Sequence, residues 1–304
     1  MTRFISILVA TMFVAMTAQA ADKIYMPWSS KPGGSKQAQL QAFKNSLEKF
    51  GFEVETVNTT SCLTADAWLK DNADKPAVTN MSVEDAIYNI VNPGTDNSCE
   101  IPLTKESLIA TASTAYMNIC SMEPDAEKAL AKFRAGGNTV GITFTPFGVN
   151  KYLASGFMKY LDIPDTKIIT YRSGSKIIQA MVAGDVDFVH MSSAHLISKA
   201  GGTCFLSAAP EGKTKQPQMI SLETLTPDNP WIGKSHTFNF VGQNIDMERV
   251  REAAIDAINN DPTMLMQFDM NATKVGVGAG WTPEQQWEWI QEKYAGYGNL
   301  ELEM

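Results

Sequence analysis

The sequence predicts an α/β protein of two lobes, each lobe a mainly parallel sheet flanked by helices. Three observations predict it. A β-α-β unit opens the chain shortly after residue 21, and the same strand-helix rhythm runs more regularly from 126 to 207. The length, 304 residues with 44% apolar side chains, is enough for two cores. Strands alternating with helices of these lengths make parallel sheets covered on both faces.

The first twenty residues, MTRFISILVATMFVAMTAQA, come before that fold. Arg3, an apolar run from Phe4 to Met16 and the small-x-small Ala18-Gln19-Ala20 fit a cleaved secretory signal peptide, residues 1–20. The run is short for a membrane span, and no later stretch reaches about 18 apolar residues. A periplasmic location for the rest of the chain is therefore expected.

Ile24 to Pro27 is strand-like. Ser35 to Phe50 follows with Ala38, Leu40, Ala42, Phe43, Leu47 and Phe50 at near-helical spacing, and Glu53 to Val57 alternates like a strand. Ala77 to Asn80 predicts a short strand, and Val83 to Val91 a helix stopped by Asn92-Pro93-Gly94. Leu108 to Met122 is rich in β-formers and small residues and meets a break at Glu123-Pro124-Asp125, where a crossover between lobes is expected.

A helix to Arg134 then stops at Gly136-Gly137, followed by strand Thr139 to Thr143, helix Gly148 to Leu161 and strand Lys167 to Tyr171. Helix Ser173 to Ala183, strand Val186 to Met191, a short helix from Ser193 and strand Thr203 to Ser207 complete the series. Ala209 to Lys234, rich in Pro, Lys, Thr and Gln, reads as loops returning to the first lobe. The tail is helical, over Asp246 to Asn259, Pro262 to Asp269 and a last helix with Thr282 as N-cap, Pro283 at its first position and Gln285 closing a capping box. The expected lobes are 21–122 with 209–304, and 123–208.

Net charge is −8, from 25 basic and 33 acidic residues, and no block of five like charges occurs, which argues against a nucleic-acid partner. The four cysteines, Cys62, Cys99, Cys120 and Cys204, favour disulfides in an exported chain. Of the three pairings, Cys62 with Cys99 and Cys120 with Cys204 is preferred, because the first pair ties a loop near Thr60 to the Pro/Gly/Asn-rich loop at 92–98. No short Cys-x-x-Cys or Cys/His spacing suggests a metal, and no cofactor is expected.

Ligands of such folds bind beyond the carboxyl ends of the strands, near helix N-termini. Gly33-Gly34-Ser35 is one such place, where glycines let backbone N–H groups approach a ligand and the helix dipole favours an anion. The segment 143–148 is a second and Tyr171-Arg172-Ser173-Gly174-Ser175 a third. Three loops of similar chemistry, drawn from both lobes, suggest one cleft.

Pro32-Gly33-Gly34, Tyr171-Arg172-Ser173-Gly174-Ser175 and Gly184-Asp185-Val186-Asp187-Phe188 occur in an order and spacing that resemble the solute-binding proteins of tripartite tricarboxylate transporters, the Bug or TctC-like group. The first helix departs from that pattern with Lys36, Gln37 and Gln39 in place of the usual Asp and Arg, and the second loop reads Phe144-Thr145-Pro146-Phe147. The resemblance implies a periplasmic binding protein of the type II, Venus-flytrap kind. It would act as a monomer, closing on a small carboxylate and docking on membrane permease subunits.

Carried over residue by residue, the resemblance implies a ligand set of Gly33, Gly34 and Ser35, then Thr79, Asn80 and Ser82, then Thr145, Phe147 and Gly148, and finally Ser173 and Asp187. Two further expectations come from the residues themselves. Arg172 offers a guanidinium that can grip a carboxylate through two parallel hydrogen bonds, although a structural ion pair with Asp185 or Asp187 competes for it. Trp28 and Phe147 are candidate apolar walls, with Ser29 a hydroxyl donor beside them.

Two rival functions are weighed against this one. An ABC-importer binding protein for an amino acid, phosphate or phosphonate keeps the fold, with Arg172 and Asp187 as an acid-base pair for an amino acid. A secreted hydrolase has only Ser192 or Ser193 beside His190 as a nucleophile-base candidate, and neither H-E-x-x-H nor G-x-S-x-G occurs in the sequence.

Overall fold

The structure, a computed structural model, describes residues 22–28, 35–59, 61–86, 99–143, 149–229, 235–270 and 272–298. Strand β1 (Lys23–Pro27) leads to helix α1 (Ser35–Lys49) and returns as β2 (Glu53–Val57), the predicted β-α-β unit. Helix α2 (Cys62–Asp71) then leads to β3 (Ala77–Met81), and residues 83–86 begin the next helix. β4 (Leu108–Tyr116) and β5 (Asn118–Ser121) are separated by Met117 alone.

Helix α3 (Ala126–Arg134), β6 (Thr139–Thr143), α4 (Val149–Tyr160), β7 (Lys167–Tyr171), α5 (Gly174–Ala183), β8 (Phe188–Met191), α6 (Ala194–Lys199) and β9 (Thr203–Ser207) follow the predicted order. Short pieces β10 (Ile220–Ser221) and α7 (Leu222–Leu225) precede β11 (Ser235–Gln243). Helices α8 (Met247–Asn260) and α9 (Pro262–Met270), strand β12 (Thr273–Lys274), a 3₁₀ turn at Gly276–Ala279 and α10 (Pro283–Gly298) complete the described chain.

The strands form two six-stranded sheets, in the orders β12-β4-β11-β3-β1-β2 and β10-β9-β5-β8-β6-β7. β1 runs parallel to β2 and β3, and β6 parallel to β7 and β8. β11 lies antiparallel between β3 and β4, and β5 antiparallel between β8 and β9. The sheets therefore correspond strand for strand, β2-β1-β3-β11-β4 matching β7-β6-β8-β5-β9. In each, the antiparallel strand belongs to the stretch of chain that has just crossed from the other lobe.

The crossovers differ from the expected boundaries. Residues 118–121 belong to the second sheet, so the chain leaves the first lobe at Met117 and not near 122. β10 is also in the second sheet, so the return comes after Ser221 and not at 209. Composition hides both points: Asn118-Ile119-Cys120-Ser121 continues the β-forming run of β4, and only the hydrogen-bond partners change.

Local chemistry explains the element ends. Asp125 caps α3, its side chain accepting from the N–H groups of Glu127 and Lys128. The predicted box on α10 is present, with Thr282 N–H donating to Gln285 Oε1 at 2.9 Å and Gln285 N–H to Thr282 Oγ1 at 3.3 Å. Gly184 ends α5 at φ 82°, a left-handed position that a Cβ disfavours.

Apolar faces pack into three clusters. One lies under α1, α8 and α9 in the first lobe, with Phe43, Phe240, Ala254 and Phe268. A second lies under α5 and α6. The third runs from Ala65, Leu69 and Ile290 in the first lobe through Met117 and Ile119 to Phe157, Phe188 and Phe205 in the second. That continuous apolar seam joins the lobes at the crossover. Both preferred disulfides form: Cys62, at the start of α2, bonds Cys99, and Cys120 bonds Cys204, its cross-strand partner on β9.

Candidate functional site

The carboxyl ends of both sets of parallel strands meet around Met117. β4 ends at Tyr116, and β5 begins at Asn118 opposite Met191, the last residue of β8, and Ser207, the last of β9. The Ala208 N–H donates to Met117 O at 2.9 Å. On the other lobe, Ser235, the first residue of β11, pairs with Tyr116. The carboxyl ends of β1, β3, β6, β7 and β8 thus face the same region, the place where an α/β fold takes its ligand.

Within that region the predicted residues fall into groups. Ser29, Gly33, Gly34, Thr145, Phe147 and Gly148 lie outside the described residues, and Ser35 is the first residue of α1. Thr79, Asn80 and Ser82 are together at the end of β3, all buried. The Thr79 hydroxyl donates to Pro27 O and ties β3 to the end of β1, while Ser82 Oγ accepts the Asp85 N–H at 3.0 Å and caps the turn at 83–86. Ser173 caps α5, accepting from Lys176 N–H at 3.4 Å and lying 3.0 Å from Ser175 Oγ. Arg172 beside it is exposed at the end of β7.

Two residues are placed elsewhere. Trp28 is 1% exposed, its ring packed on Phe240 at 5.6 Å in the core under α1, so it is a core residue and not a wall of the cleft. Its carbonyl accepts the Thr59 hydroxyl at 2.8 Å. Asp187 precedes β8 and lies at the amino ends of the parallel strands, the far side of the sheet. Its carboxylate takes Lys132 Nζ at 2.7 Å, and the Thr139 N–H and hydroxyl at 2.9 and 2.8 Å. The hydrogen bond from Lys132, reinforced by those from Thr139, lowers its pKa to about 2.

Sequence reasoning missed three groups near the crossover. Asn118 donates its amide to the carbonyls of Tyr116, Met191 and Ser192, each at 3.3 Å, and so bridges the two lobes. Glu84, 3% exposed, accepts the Thr237 N–H at 2.9 Å and its hydroxyl at 3.2 Å. Burial pushes its pKa up to about 7 against the opposing pull of those donors and of Lys293. Lys293, held below the usual lysine range by burial, lies 3.5 Å from Ser235 Oγ, which in turn bonds the Thr114 hydroxyl.

Asn80-Met81-Ser82 and His190-Met191-Ser192 occupy equivalent ends of β3 and β8, an echo of the paired lobes. His190 itself is buried with its ring edge-on to Phe157 at 5.0 Å, a core placement. Among the described residues no group of His, Cys, Asp and Glu could hold a metal, and no helix is long and apolar enough to cross a membrane.

No family model matches the chain, and no curated protein matches it. Solved structures do. One described as a periplasmic transporter superposes with a TM-score of 0.68 at 14% identity, covering 92% of this chain and 95% of that one. A TctC solute-binding protein from Polaromonas gives 0.61 at 14% identity, covering 93% of this chain and 100% of its own. MatC (Rpa3494) from Rhodopseudomonas palustris with bound malate gives 0.63 at 12% identity, covering 90% of this chain and 96% of its own. The chain has the two-lobed fold of periplasmic binding proteins.

Proposed function

We propose that this protein is an extracytoplasmic solute-binding protein that captures a small organic acid between its lobes and hands it to the permease subunits of a tripartite tricarboxylate-type transporter. One observation carries the reading: the carboxyl ends of the parallel strands of two matched sheets converge around Met117, with hydroxyl and amide groups on both sides and Arg172 at the end of β7. Chains of the same architecture, at low identity, include one with malate and one from R. palustris with adipate. The motif order of Pro32-Gly33-Gly34, Tyr171 to Ser175 and Gly184 to Phe188 supports the same reading.

In this reading the ligand contacts are Gly33, Gly34 and Ser35, Asn80 and Ser82, Thr145, Phe147 and Gly148, and Arg172 with Ser173. The protein returns its solute unchanged and is not an enzyme. It works as a monomer in the periplasm, exported by residues 1–20. The lobes rotate about the two crossovers, Met117 and the stretch after Ser221.

A second reading, the binding protein of an ABC importer, is favoured by Asp85, three residues after Ser82 in the turn beyond β3, an acid suited to an ammonium group beside a carboxylate. A thermal-shift screen of the exported chain, stripped of co-purified ligand by unfolding and refolding, separates the two. Ligand at about a hundred times its Kd stabilises by roughly 2.7 kcal/mol. A shift with di- or tricarboxylates supports the first reading; a shift only with amino acids, phosphate or phosphonates supports the second.

A further inference from the structure

The root of β11, where the chain re-enters the first lobe, is gripped by polar groups from three other elements. Ser235, Thr237 and Asn239 are each 0% exposed, although they stand at the start of a strand that follows a long connection. Thr237 gives its N–H and hydroxyl to Glu84 from the turn after β3. Ser235 meets Thr114 of β4 and Lys293 of α10. Asn239 donates to Met81 O at 3.1 Å. Lys293 also stands over the Trp289 ring at 5.2 Å, which fixes its stem.

We propose that Glu84 and Lys293 form a titratable clamp on the root of β11, holding the crossover closed while Glu84 is protonated and loosening it when Glu84 ionises. Two neutral donors from Thr237 stabilise the carboxylate less than water would, so an ionised Glu84 favours a conformation in which it is solvated. The charged and titratable groups facing Glu84 are Lys293 and Tyr294 from α10 and Asp85 from its own turn. From β11, Thr237 presents its N–H and hydroxyl to Glu84, and Ser235 beside it bonds the Thr114 hydroxyl of β4. Lys293 opposes the loosening and Asp85 favours it. The clamp is a positioning device; it does not depend on which solute the cleft takes, and its test needs no ligand.

The experiment is amide hydrogen exchange on the full exported chain between pH 4.5 and 8.5, with rates corrected for their intrinsic pH dependence. The readout is the protection of residues 235–239, with 247–260 of α8 as an internal reference. Protection at 235–239 should fall by at least about tenfold between pH 4.5 and 7, as one proton is lost on opening, and level off above pH 7. In Glu84→Gln the fall should vanish. In Lys293→Met the levelling should move to higher pH, because the carboxylate has lost a neighbouring cation, while Lys293→Arg should restore the wild-type profile.

A flat wild-type profile, or the same fall in Glu84→Gln, overturns the clamp. If Glu84→Gln does not fold, an unmoved profile in Lys293→Met overturns it instead. None of these outcomes bears on whether the cleft binds a carboxylate, which the ligand screen tests separately.

Discussion

Asp187 and Thr139 hold each other reciprocally. The Asp187 carboxylate accepts the Thr139 N–H at 2.9 Å and its hydroxyl at 2.8 Å, and the Asp187 N–H donates to Thr139 Oγ1 at 2.9 Å. With Lys132 on the same carboxylate, this arrangement pins the entry of β8 to the entry of β6. The second acid of the Gly-Asp-Val-Asp stretch is thereby explained by folding, at the end of the sheet away from the crossover.

Replacing Asp187 by Asn should lower stability by roughly 1 kcal/mol, since three charge-assisted contacts are lost at a partly solvated site. The folded pKa is depressed to about 2 from 3.8. The stability it contributes is therefore fully present above about pH 4 and disappears as pH falls toward 2. Urea unfolding at pH 3 and pH 7 checks this, and the variant's deficit should be smaller at pH 3. Affinity for any ligand should be unchanged.

Glu84 has the opposite sign. Its folded pKa is raised from 4.5 to about 7, so ionisation costs stability, and the cost grows as pH rises from 4.5 and is complete above 7. The wild type should lose roughly 2 kcal/mol more than Glu84→Gln between pH 5 and pH 8 in urea titrations. Equal losses in the two proteins would show that Glu84 is solvated in the fold.

The two disulfides close stretches of 37 and 84 residues. Each should stabilise by about 4 kcal/mol through the unfolded chain. Non-reducing peptide mapping should recover Cys62–Cys99 and Cys120–Cys204 links only, and the paired change of Cys120 and Cys204 to Ala should lower Tm by several degrees.

Much of the architecture was legible because its strands and helices obey simple periods. β2, β6, β7 and β9 fall where alternation and flanking glycines put them, and the Thr282 and Gln285 side chains mark the start of α10. β11 was not legible: Ser235, Thr237 and Asn239 give it a polar face that is buried, and Glu84, Thr114 and Met81 O, all distant in sequence, satisfy that face. Helix α2 was missed for a related reason, since its start depends on a capping box between Ser61 and Thr64 and on Cys62 bonded to Cys99.

The site was legible in outline only. Serine-bearing turns after strands lie at the carboxyl ends of β3 and β7, where Ser82 and Ser173 cap the next turn and helix. Trp28 and Asp187 misled because residue type alone does not say which side of a sheet a group reaches. Asn118, Glu84 and Lys293 carry no local signal, since the groups they bond, Met191 and Ser192, Thr237, and Ser235, are far away in sequence.

If Arg172 and Ser173 contact a carboxylate, Arg172→Ala should weaken binding by about 1.5 to 3 kcal/mol, the range for hydrogen bonds to charged groups. Ser173→Ala should weaken it less. Arg172→Ala, an exposed change, should alter unfolding of the empty protein by no more than about 0.5 kcal/mol, whereas Ser173→Ala also loses the α5 cap, at about 1 kcal/mol, so Arg172→Ala separates loss of affinity from loss of fold.

The most direct test of the central claim is a calorimetric titration of the stripped, exported chain with malate, adipate, citrate and aromatic carboxylates, alongside amino acids and phosphate. The account predicts saturable binding of at least one carboxylate class at one site per chain, weakened in Arg172→Ala. Saturable binding of only amino acids or phosphate, with no carboxylate bound, would contradict it.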